Sequence, residues 1–179
     1  MPVACAVSPH FTGTALPPSP APNFTLTSDI GRSWTLAAQR GEVVALLFGF
    51  THCTDTCPDT LARLSHALQR DHATAKTAEI AFVTVDPLRD RPAVMRKWIR
   101  QFSGAKIVGL TGSQAQIDRV EHLYHVWSKK IPGKRGSDDY DEEHSAFTFL
   151  IDRSGDERVV HSDDDSLRDF AADLRTLLQ

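Results

Sequence analysis

The chain has 179 residues, of which 41% are hydrophobic and 24% charged, with a formal net charge of -3. That composition belongs to one globular domain long enough to bury a core, and the small charge supplies no basic field for nucleic acid or an anionic membrane surface. No stretch approaches the roughly 18 apolar residues of a membrane span, and three cysteines are too few for a disulfide scaffold.

Residues 1–22 read as a flexible N-terminal tether, with Pro17-Pro18-Ser19-Pro20-Ala21-Pro22 as a semi-rigid spacer. Cys5 follows a small residue, as at the end of a bacterial lipoprotein signal, but no charged and apolar region precedes it. It is either a lipid-bearing residue or an incidental one in a loose tail. The folded domain is expected over 23–179. Phe24-Thr25-Leu26 and Trp34-Thr35-Leu36 flank the turn Asp29-Ile30-Gly31-Arg32 and predict an N-terminal β-hairpin. The apolar run from Val43 to Phe50 has the length and bulk of a strand buried on both faces. Leu61, Leu64 and Leu68 then recur at helical spacing, with Pro58 suited to the first turn.

Glu79 to Val85 is the next buried strand, and Asp86-Pro87-Leu88-Arg89-Asp90 a polar turn after it. A helix with Pro92 near its start carries Met95, Trp98, Ile99 and Phe102 as a core stripe. Lys106 to Gly109 is a short strand, and a helix from Ser113 places Ile117, Val120, Tyr124 and Trp127 on one side. Ser128 to Glu143 is a long polar insert with an acidic run from Asp138, well beyond the usual connection of roughly 4–6 residues. It delivers His144 just ahead of the strand Ala146–Ile151. A turn at Asp152–Gly155 leads into Arg158-Val159-Val160, and the last helix buries Leu167, Phe170, Leu174 and Leu177. Strands alternating with helices argue an α/β fold whose mostly parallel central sheet becomes mixed through the closing hairpin.

Cys53 and Cys57 fall where a strand becomes a helix, at the carboxyl end of the strand, where sites of open α/β sheets collect. Two cysteines four residues apart share one face of a first turn, and a helix's positive end favours thiolates there. The plain alternative is a pair of small buried hydrophobes. Against it, Thr51-His52-Cys53-Thr54-Asp55-Thr56-Cys57 is a polar loop, suited to a reversible disulfide or a soft metal ion. A structural zinc site wants four ligands, and no second cysteine pair exists. His144 is the natural third donor; two sulfurs and one imidazole suit Cu(I), or Cu(II) with an added weak ligand. His52 is a second candidate for tuning Cys53 or replacing His144, and Asp86 and Asp90 are either turn and cap residues or supports of the site.

Three separated motifs carry a resemblance: Phe48-Gly49-Phe50-Thr51-His52-Cys53 with Cys57-Pro58, Thr84-Val85-Asp86-Pro87 with Arg89-Asp90, and His144-Ser145 before Phe149-Leu150-Ile151-Asp152. From about Phe24 onward the chain resembles the Sco (SenC-type) family. The resemblance implies a thioredoxin-like fold and a place in the periplasm or on the outer face of the bacterial inner membrane, or the mitochondrial equivalent. It further implies a copper metallochaperone, or a thiol reductase, for assembly of the CuA centre of cytochrome c oxidase. Cys53, Cys57 and His144 match the family's copper ligands, and Asp86 and Asp90 its Asp-Pro-x-x-Asp segment. Implied partners are the CuA-bearing subunit or another copper chaperone, and a thioredoxin-like reductant. Two departures are Thr54, where the family commonly has Pro, and the absent membrane-spanning anchor, which leaves tethering to Cys5 or to a removed segment.

Two chemistries follow. In metal transfer, a partner's thiols displace Cys53, Cys57 and His144 one at a time. In thiol–disulfide exchange, one thiolate attacks a partner's disulfide and the other resolves the mixed disulfide. Thioredoxin-type exchange enzymes place a proline before the strand facing the cysteines, where this chain has His144-Ser145-Ala146-Phe147, which favours copper. Peroxide reduction resembles the Thr51-x-Cys53 stretch but wants a Pro-x-x-x-Thr-x-x-Cys arrangement that is not found.

Overall fold

The computed structural model describes residues 10–69, 77–133 and 140–179. Its strands are β1 (Thr14–Pro20), β2 (Thr25–Ser28), β3 (Ser33–Thr35), β4 (Val43–Gly49), β5 (Ala78–Thr84), β6 (Ile107–Thr111), β7 (Ser128–Pro132), β8 (Tyr140–His144), β9 (Thr148–Ile151) and β10 (Asp156–His161). The helices are α1 (Thr56–Gln69), α2 (Pro92–Ile99), α3 (Gln114–Leu123) and α4 (Leu167–Leu178), with a short 3-10 turn at Leu36–Gln39.

Eight strands form one mixed sheet in the order β1-β10-β9-β4-β5-β6-β2-β3. The parallel centre, β4-β5-β6, is flanked by antiparallel partners, as the alternation of strands and helices predicts. β4 is buried at every position because both its faces are covered. Val44, Leu46 and Phe48 enter a core with Phe24, Leu26, Trp34, Ile117 and Tyr124, while Val43, Ala45 and Leu47 enter another with Leu61, Leu64, Met95 and Phe170. Thus α3 covers one face and α1, α2 and α4 the other. Each fully buried side chain of this size contributes about 1.5–3 kcal/mol relative to exposure.

Several expectations need correction. Thr14–Pro20, expected within the tether, is an edge strand paired with β10, its register irregular between Ala15 and Ser19. An edge position is what its prolines require, since they donate no ladder hydrogen bond. Residues 1–9, including Cys5, lie outside the described residues. Trp127 is not on the α3 stripe but 52% exposed. His125 takes a left-handed φ of 53°, and the Val126 amide bonds the Glu121 carbonyl, so the chain leaves the helix before reaching it. On α4, Leu178 is fully buried whereas Leu167 and Leu177 are only partly so. The polar insert is not one loop: β7 and β8 pair antiparallel, with Lys129 opposite Glu143 and Lys130 opposite Glu142. His144 ends β8 rather than merely preceding β9. Asp138, where the acidic run begins, lies outside the described residues.

Candidate metal centre

Cys53 sits in the bend after β4, and Cys57 lies in the first turn of α1, so the first cysteine precedes the helix rather than sharing its turn. The Cys53 amide donates to the Phe50 carbonyl at 3.2 Å, and Cys53 Sγ accepts from the Cys57 amide at 3.4 Å. That sulfur therefore plays the part an N-cap oxygen ordinarily plays, meeting an otherwise unpaired helix amide. Gly49 clears space for the second sulfur: a Cβ there would stand 2.7 Å from Cys57 Sγ and 2.9 Å from the Phe82 ring.

His144 arrives from the β7–β8 hairpin. Its Nε2 lies 3.6 Å from Cys57 Sγ, across 87 residues of sequence. Its Nδ1 is 3.0 Å from the Ser145 carbonyl, an atom that can only accept, so Nδ1 carries the proton and the Nε2 lone pair faces the thiol. The ring stands edge to face with Phe50, centroids 5.9 Å apart. The narrow cavity here is lined by Leu47, Phe48, Thr56, Cys57, His144 and the partly exposed Phe147.

The two sulfurs are electrostatically unequal. A hydrogen bond from the Cys57 thiol is the largest influence on Cys53; with the backbone amides of Cys57 and Asp55 it overcomes burial and lowers the pKa to about 5. Cys57 moves the other way, because its proton is held by the Cys53 thiolate and because burial disfavours its charge. Cys53 Sγ and His144 Nε2 thus both face the Cys57 thiol.

A sulfur and an imidazole nitrogen bound to one d10 ion at about 2.3 and 2.0 Å stand roughly 3.5–3.7 Å apart at a trigonal or tetrahedral angle. The Cys57–His144 separation of 3.6 Å meets that requirement. Among the described residues, no three His, Cys, Asp or Glu side chains gather tightly enough to form a preassembled metal-binding group. Cys53 Sγ is held by the Cys57 amide rather than drawn into a closed cage.

Asp86 and Asp90, fully buried, stand behind the site. Asp90 accepts from the Thr51 amide at 2.9 Å, the Thr51 hydroxyl at 2.5 Å and the Thr84 hydroxyl at 2.7 Å. Burial is the dominant influence on it and raises its pKa despite these donors. Asp86 accepts from the Tyr140 hydroxyl at 2.8 Å and from Arg89 Nε. His52 does not join the sulfurs: its ring lies 3.2 Å from the Thr51 hydroxyl and 3.9 Å from Asp90, half exposed. Thr51, Thr84 and Arg89 stand in the sequence motifs without a role of their own, and Tyr140 and Glu142 escaped the sequence reading. The signal for the hairpin was present in the opposed Lys129/Glu143 and Lys130/Glu142 charges, which become visible only once the two segments are set antiparallel.

Residues 13–179 match the SCO1/SenC family model. The chain belongs to the SCO1/SenC family. The family's SCO2-like protein of Rickettsia prowazekii is 33% identical over 132 residues, 74% of this chain and 64% of that one. The human mitochondrial protein SCO2 homolog is 33% identical over 165 residues, 87% of this chain and 61% of that one. The chain thus spans under two thirds of either relative. Among solved members, copper-bound ScoI of Bradyrhizobium japonicum superposes with a TM-score of 0.79 at 33% identity, covering 89% of this chain and 99% of that one. Apo Sco1 of Thermus thermophilus gives 0.82 at 32% identity, covering 96% and 99%. The fold is the thioredoxin-like fold of Sco proteins, with the N-terminal β2–β3 hairpin where the sequence predicts it.

Proposed function

We propose that the chain is a copper metallochaperone that holds copper through Cys53, Cys57 and His144 for assembly of the CuA centre of cytochrome c oxidase. The observation that carries this reading is the approach of His144 Nε2 to Cys57 Sγ, with Nδ1 committed to the Ser145 carbonyl. Copper-bound relatives of the same fold support it, as does a description of the Sco family as cytochrome c oxidase assembly proteins. Cu(I) takes the place of the Cys57 thiol proton, so a thiolate–thiol pair becomes a dithiolate–Cu(I) unit of the same net charge. Loading the cysteine pair then adds no uncompensated charge, and copper binding releases the Cys57 proton. Cu(II) is accommodated by an added weak ligand.

The unequal cysteines favour a second activity, thiol–disulfide exchange. The half-exposed Cys53 thiolate attacks one sulfur of a partner disulfide, forming a mixed disulfide and releasing one partner thiolate. Cys57 loses its proton and attacks Cys53 Sγ, releasing the second. The partner gains two electrons, its two thiolates taking the Cys57 proton and one proton from water; the chain becomes a Cys53–Cys57 disulfide, and a thioredoxin-like reductant restores it. Among the described residues no helix is long and apolar enough to cross a membrane. We place the domain in the periplasm or on the outer face of the inner membrane, with Cys5 as the lipid-bearing residue.

Titration of the reduced protein with Cu(I) against a competing chelator, repeated for His144→Ala, tests the first reading. A loss of tenfold or more, with unchanged disulfide-reduction kinetics, is expected. Unchanged copper affinity would remove His144 from the ligand set and leave exchange as the better account.

A further inference from the structure

We propose that the turn from Asp86 to Asp90 is a yoke that registers the two halves of the site, with Arg89 and Tyr140 as positioning residues for His144. This rests on the reading of His144 as a copper ligand.

The turn reaches both halves through two buried carboxylates. Asp90 takes the Thr51 amide and hydroxyl, two residues before Cys53, and so holds the cysteine loop. Asp86 takes the Tyr140 hydroxyl at 2.8 Å at the start of β8. Arg89 closes the same contact from the other side: its Nε meets Asp86, its Nη1 donates to the Tyr140 carbonyl at 2.8 Å, and its guanidinium lies 3.8 Å from the Tyr140 ring centroid. Lys130, on the pairing strand, stands 4.6 Å over the same ring. The turn itself is braced, since the Asp90 amide donates to the Asp86 carbonyl and the Asp86 amide to the Thr84 hydroxyl, both at 2.9 Å.

The hairpin needs such a fastening. Among the described residues it forms a separate two-stranded sheet with no strand pairing to the main one, and a lone two-stranded ribbon is marginally stable in water. Tyr140 and His144 occupy the two ends of β8, so a strand of about 3.3 Å per residue transmits the fastening at one end to the imidazole at the other. Fixing the ring beforehand spares its ordering cost when the ion arrives.

The test uses the reduced full chain as wild type, Tyr140→Phe, His144→Ala and the double variant. Tyr140→Phe keeps the ring under Arg89 and removes only the hydroxyl. Its Cu(I) affinity should fall about three- to tenfold, with no further loss when His144 is already alanine, because a positioning residue acts through the group it positions. In copper-free protein, amides of 128–131 and 140–144 should exchange faster while those of α1 are unchanged. An equal loss in both backgrounds, or unchanged hairpin exchange, overturns the yoke. Equal affinity of wild type and His144→Ala instead overturns the ligand reading, and amide exchange still decides the yoke on its own.

Discussion

Cys57 enters the site from a 14-residue helix packed against the central sheet, whereas His144 enters from a ribbon that shares no ladder with that sheet. The cysteine half is held by hydrophobic burial: Leu61, Leu64 and Leu68 beneath α1, and β4 covered on both faces. The histidine half is held by polar contacts, Tyr140 to Asp86 and Arg89, and its Glu142 is buried with no partner for Oε1 among the described residues. Burial of this kind is non-directional and forgiving of small shifts, while the hairpin's hydrogen bonds, to the Asp86 carboxylate and from Arg89, are directional and few. A site built this way has a fixed sulfur side and an adjustable nitrogen side, so under the proposed copper transfer the imidazole is the donor expected to yield first to a partner's thiols.

The strongest way to break that contrast is to disturb the fixed side. Gly49→Ala forces a methyl group into Cys57 Sγ and Phe82. Overpacking of this kind costs about 1–3 kcal/mol, so thermal unfolding should show a midpoint several degrees lower, with copper affinity reduced as the sulfur moves. Unchanged stability and affinity would mean that the β4–α1 junction is as adjustable as the hairpin.

The contrast between the sulfurs themselves is sharpened by pH. With the folded Cys53 pKa lowered to about 5, the thiolate is present above that pH and lost below it. Alkylation of Cys53 in a Cys57→Ser variant cannot test this, because the Cys57 thiol is what lowers the pKa; the native pair must be used and the modified residue identified by mass. The rate constant should be level from pH 6 to 8 and fall about tenfold for each unit below 5. A rate still rising tenfold per unit between pH 6 and 8 would restore an ordinary thiol.

A smaller effect is expected in the hairpin. Burial, with the Asp86 charge adding to it, raises the Glu142 pKa to about 7. A carboxyl whose folded pKa lies above its unfolded value favours the fold when protonated, and that contribution is lost as pH rises toward 7. Glu142→Gln removes the loss, so the unfolding midpoint should rise by a few degrees at pH 8 and hardly move at pH 4. An equal change at both pH values would assign the effect to packing.

The particular residues explain what could be read in advance. Val43 to Phe50 and the Leu61/Leu64/Leu68 stripe are legible because a strand or helix facing a core must repeat apolar residues at its own period. Ser113 opens α3 with a capping box that a short window of sequence contains entirely. The ribbon follows no such rule. Its residues Ser128-Lys129-Lys130-Ile131-Pro132 and Tyr140-Asp141-Glu142-Glu143-His144 pair by opposed charges, and that pattern has no meaning until register is known. β1 is hidden likewise, since its prolines suggest a tether unless an edge with a vacant partner, here β10, is available.

From its own order of residues this chain determined the mixed α/β sheet, the placing of Cys53 and Cys57 at a strand-to-helix junction and the nomination of His144, because each rests on local periodicity or a short motif. Tertiary structure alone decided that His144 meets Cys57 rather than Cys53, that His52 turns to Asp90, and that Asp86 and Asp90 each grip one half of the site. The reason is that these are contacts between segments dozens of residues apart. Their partners are selected by how the sheet and the ribbon close in space, and no spacing along the chain encodes that closure.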